Sequence, residues 1–471
     1  MEKKLVYDIH DKPPFGKIIV FALQQLLAII AATILVPKLV GNGMSTSAAL
    51  LGAGAGTLVY QLFTKFRSPV FLGSSFAFIG SMAAAFAGAV TAEESVNLGL
   101  GYLGILIGAI LAGLVYVIIA IIIKFVGVAW INKLMPPAVI GPTVALIGLS
   151  LATNAVRNSL SIFDDTVVSP YPSSLKLWLS LACAMVTFFV VIISSTFGKK
   201  MMKLIPFIIG ILAGYAVALI FTGIGYIPGV DEGFKIVDFQ PLINLVKDGV
   251  QLSTFLQVPD FTFIKAIEGF KDFEPSYLVT IIVAYVPVAF VVFAEHVADH
   301  KNLSTIIDKD LLKDPGLHRT LLGDGVGSMT GAFFGGCPNT TYGESVGCVA
   351  ITRNASVVTI TTTSIIAILI SFLSPFVALL DTIPACVIMG GVCIALYGFI
   401  AVSGLKMIKN VDLENNANLF TVSAILITGI GGMAFKIADK VTITPVACAL
   451  ILGIIVNVVL NIKKKDKGDK K

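Results

Sequence analysis

The stretch PVFLGSSF, residues 69–76, interrupts a chain that otherwise consists largely of long apolar runs. It is rich in β-branched, aromatic and hydroxyl side chains, which favour an extended backbone over a helix. A second stretch of the same character, CPNTTYG, occupies residues 337–343. Extended backbone at membrane depth is tolerated only where protein or a cavity covers its N–H and C=O groups. We therefore expect the two stretches to meet as short strands, each followed by a helix that begins near Ala77 or near Glu344.

The composition places the chain in a membrane. Of its 471 residues, 56% are hydrophobic and 13% are charged, whereas an average soluble domain has about 25% charged residues. These values exclude a soluble enzyme, a disordered chain and a nucleic-acid-binding protein with an exposed basic face. The six cysteines form no C-x-x-C pair, so neither a disulfide framework nor a metal site is expected.

About fourteen membrane spans are predicted, which makes the fold class all-α and polytopic. A spanning helix needs about 20 apolar residues, and the two extended stretches count as the odd third and tenth spans. Most of the 33 lysine and arginine residues fall on one side when the spans alternate from a cytoplasmic N-terminus. The positive-inside rule then places both termini in the cytoplasm. The twelve regular runs lie near 17–37, 47–63, 99–123, 136–153, 175–195, 203–222, 277–298, 317–335, 356–376, 383–402, 417–435 and 441–461.

The two halves of the chain resemble each other. LLGAGAGT at 50–57 matches LLGDGVGS at 321–328, and SSF at 74–76 matches TTY at 340–342. PAVIGPTVALIG, which begins at Pro137, matches PACVIMGGVCIALYG in the second half. Seven spans per copy is an odd number, so the copies must be inverted in the membrane. Inverted repeats with broken spans are typical of secondary transporters, whose binding site lies at the repeat interface.

These patterns predict four regions. One of them is a long loop between the two repeats, which carries mixed charge and either takes part in gating or merely connects the halves. The regions are 1–222 (first repeat, segments 1–7), 223–276 (extracellular connecting loop), 277–462 (second repeat, segments 8–14) and 463–471 (basic cytoplasmic tail).

Two carboxylates fall inside predicted spans. Glu344 directly follows the second extended stretch, and Glu295 lies in FAEHVADH at 293–300. A carboxylate at membrane depth is costly and indicates function by default, although a structural acid paired with a neighbour is the alternative. Asp299 lies one helical turn after Glu295. It either shares a proton with Glu295 or marks the end of the span.

Further polar residues accompany these acids. His296 and His300 have the spacing of two metal ligands, but the sequence shows no matching third and fourth ligand. We therefore expect satisfied or solvated histidines, with a proton relay as the alternative. Asp324 is expected to be a structural partner inside span nine or part of a proton path.

Aromatic residues lie near the same stretches. Phe76, Tyr342 and Tyr397 either stack on a flat polar ligand or are simply packed in the core. Two carboxylates accept hydrogen bonds from N–H groups and repel an anion. The sequence therefore predicts a small, flat, neutral ligand with N–H donors.

At these motifs the chain resembles the nucleobase–ascorbate transporter family of nucleobase–cation symporters, and in particular its bacterial uracil-permease branch. The motifs are spread along almost the whole chain, and NTTYGE is the most specific of them. They are LGSSFAFI at 72–79, FAEHVADH at 293–300, KDPGLHRTLLGDG at 313–325, PNTTYGESVG at 338–347 and MGGVCIALYG at 389–398.

The resemblance implies a 7+7 inverted repeat with a core domain and a gate domain, in which segments 3 and 10 are half strand and half helix. It implies that Glu295 and Glu344 bond the uracil ring, and that the backbone N–H groups of Phe76 and Gly343 bind its oxygens. It also implies that the pocket is lined by Tyr342, Tyr397 and Ala32.

The resemblance further implies proton-coupled uracil import across the bacterial cytoplasmic membrane by an elevator-like movement. Glu295 would take part in coupling, with Asp299 where some relatives have histidine. The proton is the expected coupling ion, with sodium use left open by the sequence. No other cofactor is expected, and a homodimer within the lipid bilayer is the expected assembly. Ser345 and Cys393 also depart from the usual pattern, and both bear on ligand selectivity.

Other functions remain open at this stage. The nearest is a permease of the same fold for xanthine or another nucleobase, followed by an uncoupled nucleobase facilitator or channel. An anion transporter is disfavoured because Glu295 and Glu344 would repel its substrate. An intramembrane enzyme lacks a supporting motif, and nucleic acid is not an expected partner.

Overall fold

The computed structural model is mostly helical, and it confirms the predicted class of multi-pass membrane protein. It describes residues 5–90, 95–162, 174–199, 201–247, 249–409, 411–438 and 441–462, so the basic tail 463–471 lies outside the described residues. Within these residues, seven helices are long and apolar enough to cross a membrane. The count of fourteen spans remains a prediction. The seven are Phe15–Val40, Leu98–Val126, Pro137–Ser159, Leu175–Phe197, Pro206–Gly225, Pro275–Ile307 and Cys386–Ile408.

The first half consists of helices around one short strand. Side-chain caps define three helix starts, because Ser45, Asn97 and Ser174 each accept a hydrogen bond from a backbone N–H of the first turn. The elements are α1 (Phe15–Val40), α2 (Thr46–Phe63), β1 (Leu72–Ser74), α3 (Ile79–Gly88), α4 (Leu98–Val126), α5 (Ala129–Leu134), α6 (Pro137–Ser150), α7 (Ala152–Ser159), α8 (Leu175–Phe197), α9 (Met201–Leu204) and α10 (Pro206–Gly225).

The segment predicted as a long loop contains the short helices α11 (Gln240–Asn244), α12 (Leu252–Phe255) and α13 (Thr262–Glu268). It contacts both halves of the chain. The Nζ of Lys265 donates to the carbonyl oxygen of Gly43 at 3.1 Å, and the hydroxyl of Ser374 donates to the carbonyl oxygen of Ser253 at 2.8 Å.

The second half likewise consists of helices around one short strand, and a two-stranded hairpin precedes its last helix. A π-helical stretch, Cys386–Val392, leads directly into α19. The elements are α14 (Pro275–Ile307), α15 (Leu317–Gly335), β2 (Asn339–Thr341), α16 (Gly343–Thr352), α17 (Val357–Ser371), α18 (Ser374–Thr382), α19 (Cys393–Ile408), α20 (Asn416–Ile430), β3 (Phe435–Ala438), β4 (Val441–Ile443) and α21 (Pro445–Ile462).

Strands β1 and β2 pair antiparallel, with Gly73 opposite Thr340. The pairing satisfies backbone groups that a helix would otherwise satisfy. The hydroxyl of Thr57 on α2 accepts from the N–H of Leu72 at 2.9 Å, and the N–H of Ser75 donates to the carbonyl oxygen of Pro338 at 2.9 Å. The first bond holds β1 against α2, and the second joins the two extended segments beyond the paired residues.

The helices form two packed groups. In the first group, α1–α4 pack with α14–α17, and in the second group, α6, α8 and α10 pack with α19–α21. Glycines allow α2 and α15 to approach closely, since a Cβ at Gly52 would overlap Gly331 and one at Gly56 would overlap Gly327. The groups meet where α14 contacts α6 and α21 and where α1 contacts α10.

Candidate functional site

A cavity of about 50 Å³ lies where the strand pair, α14 and α16 of the first group face α6 and α19 of the second. The structure brings six of the predicted site residues together around it: Phe76, Glu295, Asp299, Tyr342, Gly343 and Glu344. The remaining lining residues are Val144, Ala298, Thr340, Phe399, Ile400 and Ser403.

Three carboxyl groups face this cavity, and none of its lining residues is a cation. Glu295 and Asp299 lie one turn apart on α14, and Glu344 is the second residue of α16. Asp299 Oδ2 accepts a hydrogen bond from the hydroxyl of Thr341 at 2.8 Å. Among the described residues, no other side chain bonds or ion-pairs with Glu295 or Glu344. The two glutamates therefore remain available to a ligand.

Two backbone amides at the cavity are also available. Phe76 lies between β1 and α3, and Gly343 is the first residue of α16. Within the described part of the chain, neither N–H group has a hydrogen-bond acceptor. The N–H groups that begin a helix have no partner inside it, and they attract electronegative ligand atoms.

The predicted aromatic residues are divided between the cavity wall and the layer behind it. The hydroxyl of Tyr342 donates to the carbonyl oxygen of Ser74 at 2.8 Å, which fixes its ring. Tyr397 packs edge-on against Phe76, with 5.9 Å between the ring centroids. Tyr397 does not itself line the cavity, and neither does Ala32, which is buried on α1.

The cavity is much smaller than a typical ligand pocket. Its volume is about 50 Å³, whereas ligand pockets span about 300–1,000 Å³. A second cavity of about 440 Å³ adjoins it and shares Gly343, Glu344 and Phe399 as lining. It runs between α8 and α10 as far as Lys203.

The histidines of α14 lie in the core behind the cavity. His296 bonds Asp324 Oδ2 through Nδ1 at 2.8 Å and the hydroxyl of Thr320 through Nε2 at 3.0 Å. His300 bonds the backbone oxygen of His296 and the hydroxyl of Tyr60. Both rings thus have partners on each side, and Asp324 is a structural partner of His296. No group of three possible metal-binding side chains occurs in the described ranges.

Sequence reasoning missed two residues near the site, Gln25 and Thr340, and did not predict the hydrogen-bond partners of Ser345. The Ser345 hydroxyl, one residue after Glu344, accepts from Gln25 Nε2 at 2.5 Å and from the N–H of Phe71 at 3.0 Å. It therefore ties α16 to α1 and to the segment before β1. Thr340 lines the cavity beside Tyr342. The TTY match to SSF was a signal for Thr340, but no pattern in the sequence pointed to Gln25.

Comparison with known proteins identifies the group to which this chain is similar. The family model Xan_ur_permease, described as a permease family, matches residues 16–438. The chain is 38% identical to a uracil permease of Bacillus subtilis, over 99% of this chain and 98% of that protein. It is 39% identical to a uracil permease of Bacillus caldolyticus, over 97% and 95% of the two chains. The uracil permease of Escherichia coli K12 is 34% identical over 95% of this chain and 92% of its own.

Two solved structures have a similar fold. The transmembrane domain of a cyanobacterial bicarbonate transporter, BicA, superposes with a TM-score of 0.59 at 13% identity, over 95% of this chain and 99% of that one. The murine anion transporter Slc26a9, in its inward-facing state, superposes with a TM-score of 0.60 at 10% identity, over 96% and 69%. The structural likeness shows the fold alone, while the family match and the close relatives show that the chain belongs to the nucleobase–ascorbate transporter family and is a multi-pass permease rather than an enzyme.

Proposed function

We propose that this permease imports uracil across the bacterial cytoplasmic membrane by proton-coupled symport, with the ring bound between strands β1 and β2 and helix α14. The observation that carries the proposal is that two carboxylates and two amide N–H groups meet at one cavity, and none of the four has a partner side chain or acceptor among the described residues. Glu295 and Glu344 accept hydrogen bonds, while the amides of Phe76 and Gly343 donate them. A uracil ring offers two N–H groups and two carbonyl oxygens, so each set has its complement.

The relatives support the same substrate. Proteins named uracil permeases match nearly the whole chain at 34–39% identity. The two similar transporter structures are named for bicarbonate and anions. An anion is disfavoured here because three carboxyl groups and no cation line the cavity.

The same carboxyl groups support coupling to protons. Like charges that share a site disfavour one another's ionised form, so a proton on one of them relieves the repulsion when a neutral ring enters. Glu295 is the proposed carrier, since Asp299 lies one turn away on α14 and is held by Thr341. The proton is then the coupling ion, and no other cofactor is required.

The packing supports an elevator-like movement between the two groups of helices. Phe399, Ile400 and Ser403 of α19 face the strand pair across a cavity much smaller than a typical ligand pocket. The ring enters when the first group (the core domain) shifts against the second (the gate domain). The 440 Å³ cavity runs toward Lys203, on the side that the positive-inside rule assigns to the cytoplasm, and is the proposed route inward.

The contacts also support an inverted repeat that comprises 1–222 and 277–462 on either side of the loop 223–276. Helix α1 packs on α17, and its proposed counterpart α14 packs on α4. Likewise α2 packs on α17, and its counterpart α15 packs on α4. Each contact between the halves is therefore repeated by the corresponding helices of the opposite halves, as expected for two copies of seven spans related by inversion.

Uptake of labelled uracil into proteoliposomes tests the proposal, with and without an inward proton gradient. We expect accumulation driven by the gradient in the wild type and its loss in both Glu295→Gln and Glu344→Gln. Glu414→Gln is the matched control, because Glu414 is exposed and distant in sequence from the strands. Uptake of xanthine but not uracil would overturn the substrate, and equilibration that ignores the gradient would indicate a facilitator.

A further inference from the structure

We propose that the hydroxyl of Thr340 is an additional substrate-binding group that donates a hydrogen bond to a ring carbonyl oxygen. The inference rests on the proposed function, because it assigns a contact to the same ligand. Thr340 is the central residue of β2 and lines the 50 Å³ cavity. It stands beside Tyr342 on the same face of the extended segment, because side chains two residues apart in a strand share a face.

The hydroxyl of Thr340 is buried and has no hydrogen-bond partner in the described part of the chain. The residue is 1% exposed, and its Oγ1 makes no hydrogen bond with any described group. Leaving a buried hydroxyl without a hydrogen-bond partner is energetically unfavourable. Both strand neighbours bond protein groups, since Asn339 Nδ2 donates to the carbonyl oxygen of Gly52 and the hydroxyl of Thr341 donates to Asp299. Asn339 Oδ1 has no partner among the described groups, but Asn339 does not line the cavity.

The strand pair itself supplies no partner for this hydroxyl. The residue directly opposite Thr340 is Gly73, which has no side chain. The space that a side chain would fill at Gly73 is occupied by the ring of Tyr342. Thr340 is therefore left with the cavity as the place where a hydrogen-bond partner can lie.

The buried hydroxyl of Ser328 is another that has no partner among the described residues, and in its case the backbone sequence supplies the cause. Its counterpart in the first half, Thr57, accepts from the N–H of Leu72. The repeat alignment places Pro338 where the first half has Leu72, and proline has no N–H. Ser328 therefore lacks its donor for a reason within the backbone, and it does not line the cavity. No such backbone difference accounts for Thr340.

The chemistry of the cavity assigns the direction of the bond. Glu295 and Glu344 accept hydrogen bonds from the ring N–H groups. The ring carbonyl oxygens must therefore accept hydrogen bonds from donor groups of the protein. Each carbonyl oxygen has two lone pairs, so one oxygen can accept from a backbone amide and from the Thr340 hydroxyl together. A site built to bond a polar group discriminates strongly against an analogue that lacks it.

Equilibrium binding to the purified protein tests this contact. Thr340→Val keeps the shape and removes the hydroxyl, and we expect it to raise the dissociation constant for uracil about tenfold. Thr340→Ser keeps the hydroxyl and should remain within about threefold of the wild type. Thr143→Val is the matched control, because the buried hydroxyl of Thr143 bonds its own helix at Val139 and lies next to the lining residue Val144.

Thio-substituted rings locate the contacted oxygen. Sulfur accepts hydrogen bonds more weakly than oxygen, so 2-thiouracil or 4-thiouracil should bind the wild type more weakly than uracil does. For one of them, this penalty should disappear in Thr340→Val. Equal affinity of the wild type and Thr340→Val for the bound nucleobase, or an unchanged penalty for both thiouracils, would overturn the contact. Failure of the wild type to bind uracil while it binds another nucleobase would instead refute the proposed substrate, and Thr340→Val is then compared on that nucleobase.

Discussion

The ring of Tyr342 lies against Gly73, and the hydroxyl of Tyr342 donates to the carbonyl oxygen of Ser74 at 2.8 Å. A residue from the second half thus closes over the strand of the first half. The arrangement requires glycine at position 73, since any Cβ there would overlap the Tyr342 ring. This contact fixes one aromatic wall of the cavity relative to both strands.

Gly73→Ala is therefore expected to displace Tyr342 and to impair transport. Overpacking a filled site costs about 1–3 kcal/mol, and we expect uracil uptake to fall about tenfold or more. Gly80→Ala is the control, because its Cβ would meet only Thr444 Cγ2 at 3.6 Å, an ordinary contact. Initial uptake rates at several uracil concentrations measure the effect. A wild-type KM and maximal rate in Gly73→Ala would show that the ring position is unimportant.

The features of the candidate site that depend on local chemistry can be predicted from the sequence. The extended segments at 72–74 and 339–341 lie within the two stretches rich in β-branched and hydroxyl residues. Glu295 and Glu344 are predicted as site residues because a carboxylate at membrane depth is costly. In the structure both face one cavity. The N-terminus of α16 follows its strand directly, at Gly343.

Other features depend on tertiary contacts that no local pattern contains. The bond between Gln25 and Ser345 joins residues 320 positions apart. The hydroxyl of Thr340 has no hydrogen-bond partner among the described residues, and this depends on Gly73 lying opposite Thr340 in the strand pair. Tyr397 was predicted from the aromatic pattern to lie near the ligand, yet it packs behind Phe76 and does not line the cavity.

Thr341→Val tests whether Asp299 takes part in transport. The substitution removes the hydroxyl that bonds Asp299 at 2.8 Å, and a hydrogen bond to a charged group contributes about 1.5–3 kcal/mol. We expect about a tenfold loss of gradient-driven accumulation, with retention in Thr341→Ser. Parallel measurements on Asp299→Asn complete the test. If Thr341→Val and Asp299→Asn both accumulate uracil normally, Asp299 merely marks the end of the span.

Ser345→Ala is expected to destabilise the protein. It leaves the N–H of Phe71 buried without its acceptor, which costs about 1–3 kcal/mol. Gln25→Met removes the second partner, and the two changes should not add, because residues that share one bond are energetically coupled. Gln24→Met is the neighbouring control. Thermal unfolding in detergent measures Tm. The double variant should have the Tm of Ser345→Ala alone, and a fully additive decrease would contradict the coupling.

An ion pair joins the first group of helices to α18. Lys38 Nζ on α1 lies 3.3 Å from Asp381 Oδ1 and donates to the carbonyl oxygen of Leu380 at 2.8 Å. Both charged residues line a cavity of about 570 Å³, as does Met389 in the π-helical stretch. The side chains are 18% and 41% exposed, so the pair is partly screened. A movement that opens this cavity by separating α1 from α18 would break the ion pair.

Asp381→Asn should therefore favour the state in which α1 and α18 are apart and this cavity is open. A partly exposed ion pair contributes at most about 1 kcal/mol, which corresponds to about a fivefold change in population. A cysteine introduced as Met389→Cys reports the opening through its rate of reaction with a charged thiol reagent. The background is low because the six native cysteines are buried. We expect up to about fivefold faster labelling in Asp381→Asn, with restoration when Lys38→Asp is combined with Asp381→Lys. High salt should accelerate labelling of the intact pair toward the same value, because screening weakens the attraction that the substitution removes. Identical rates in all of these proteins and salts would mean that packing alone holds α1 against α18.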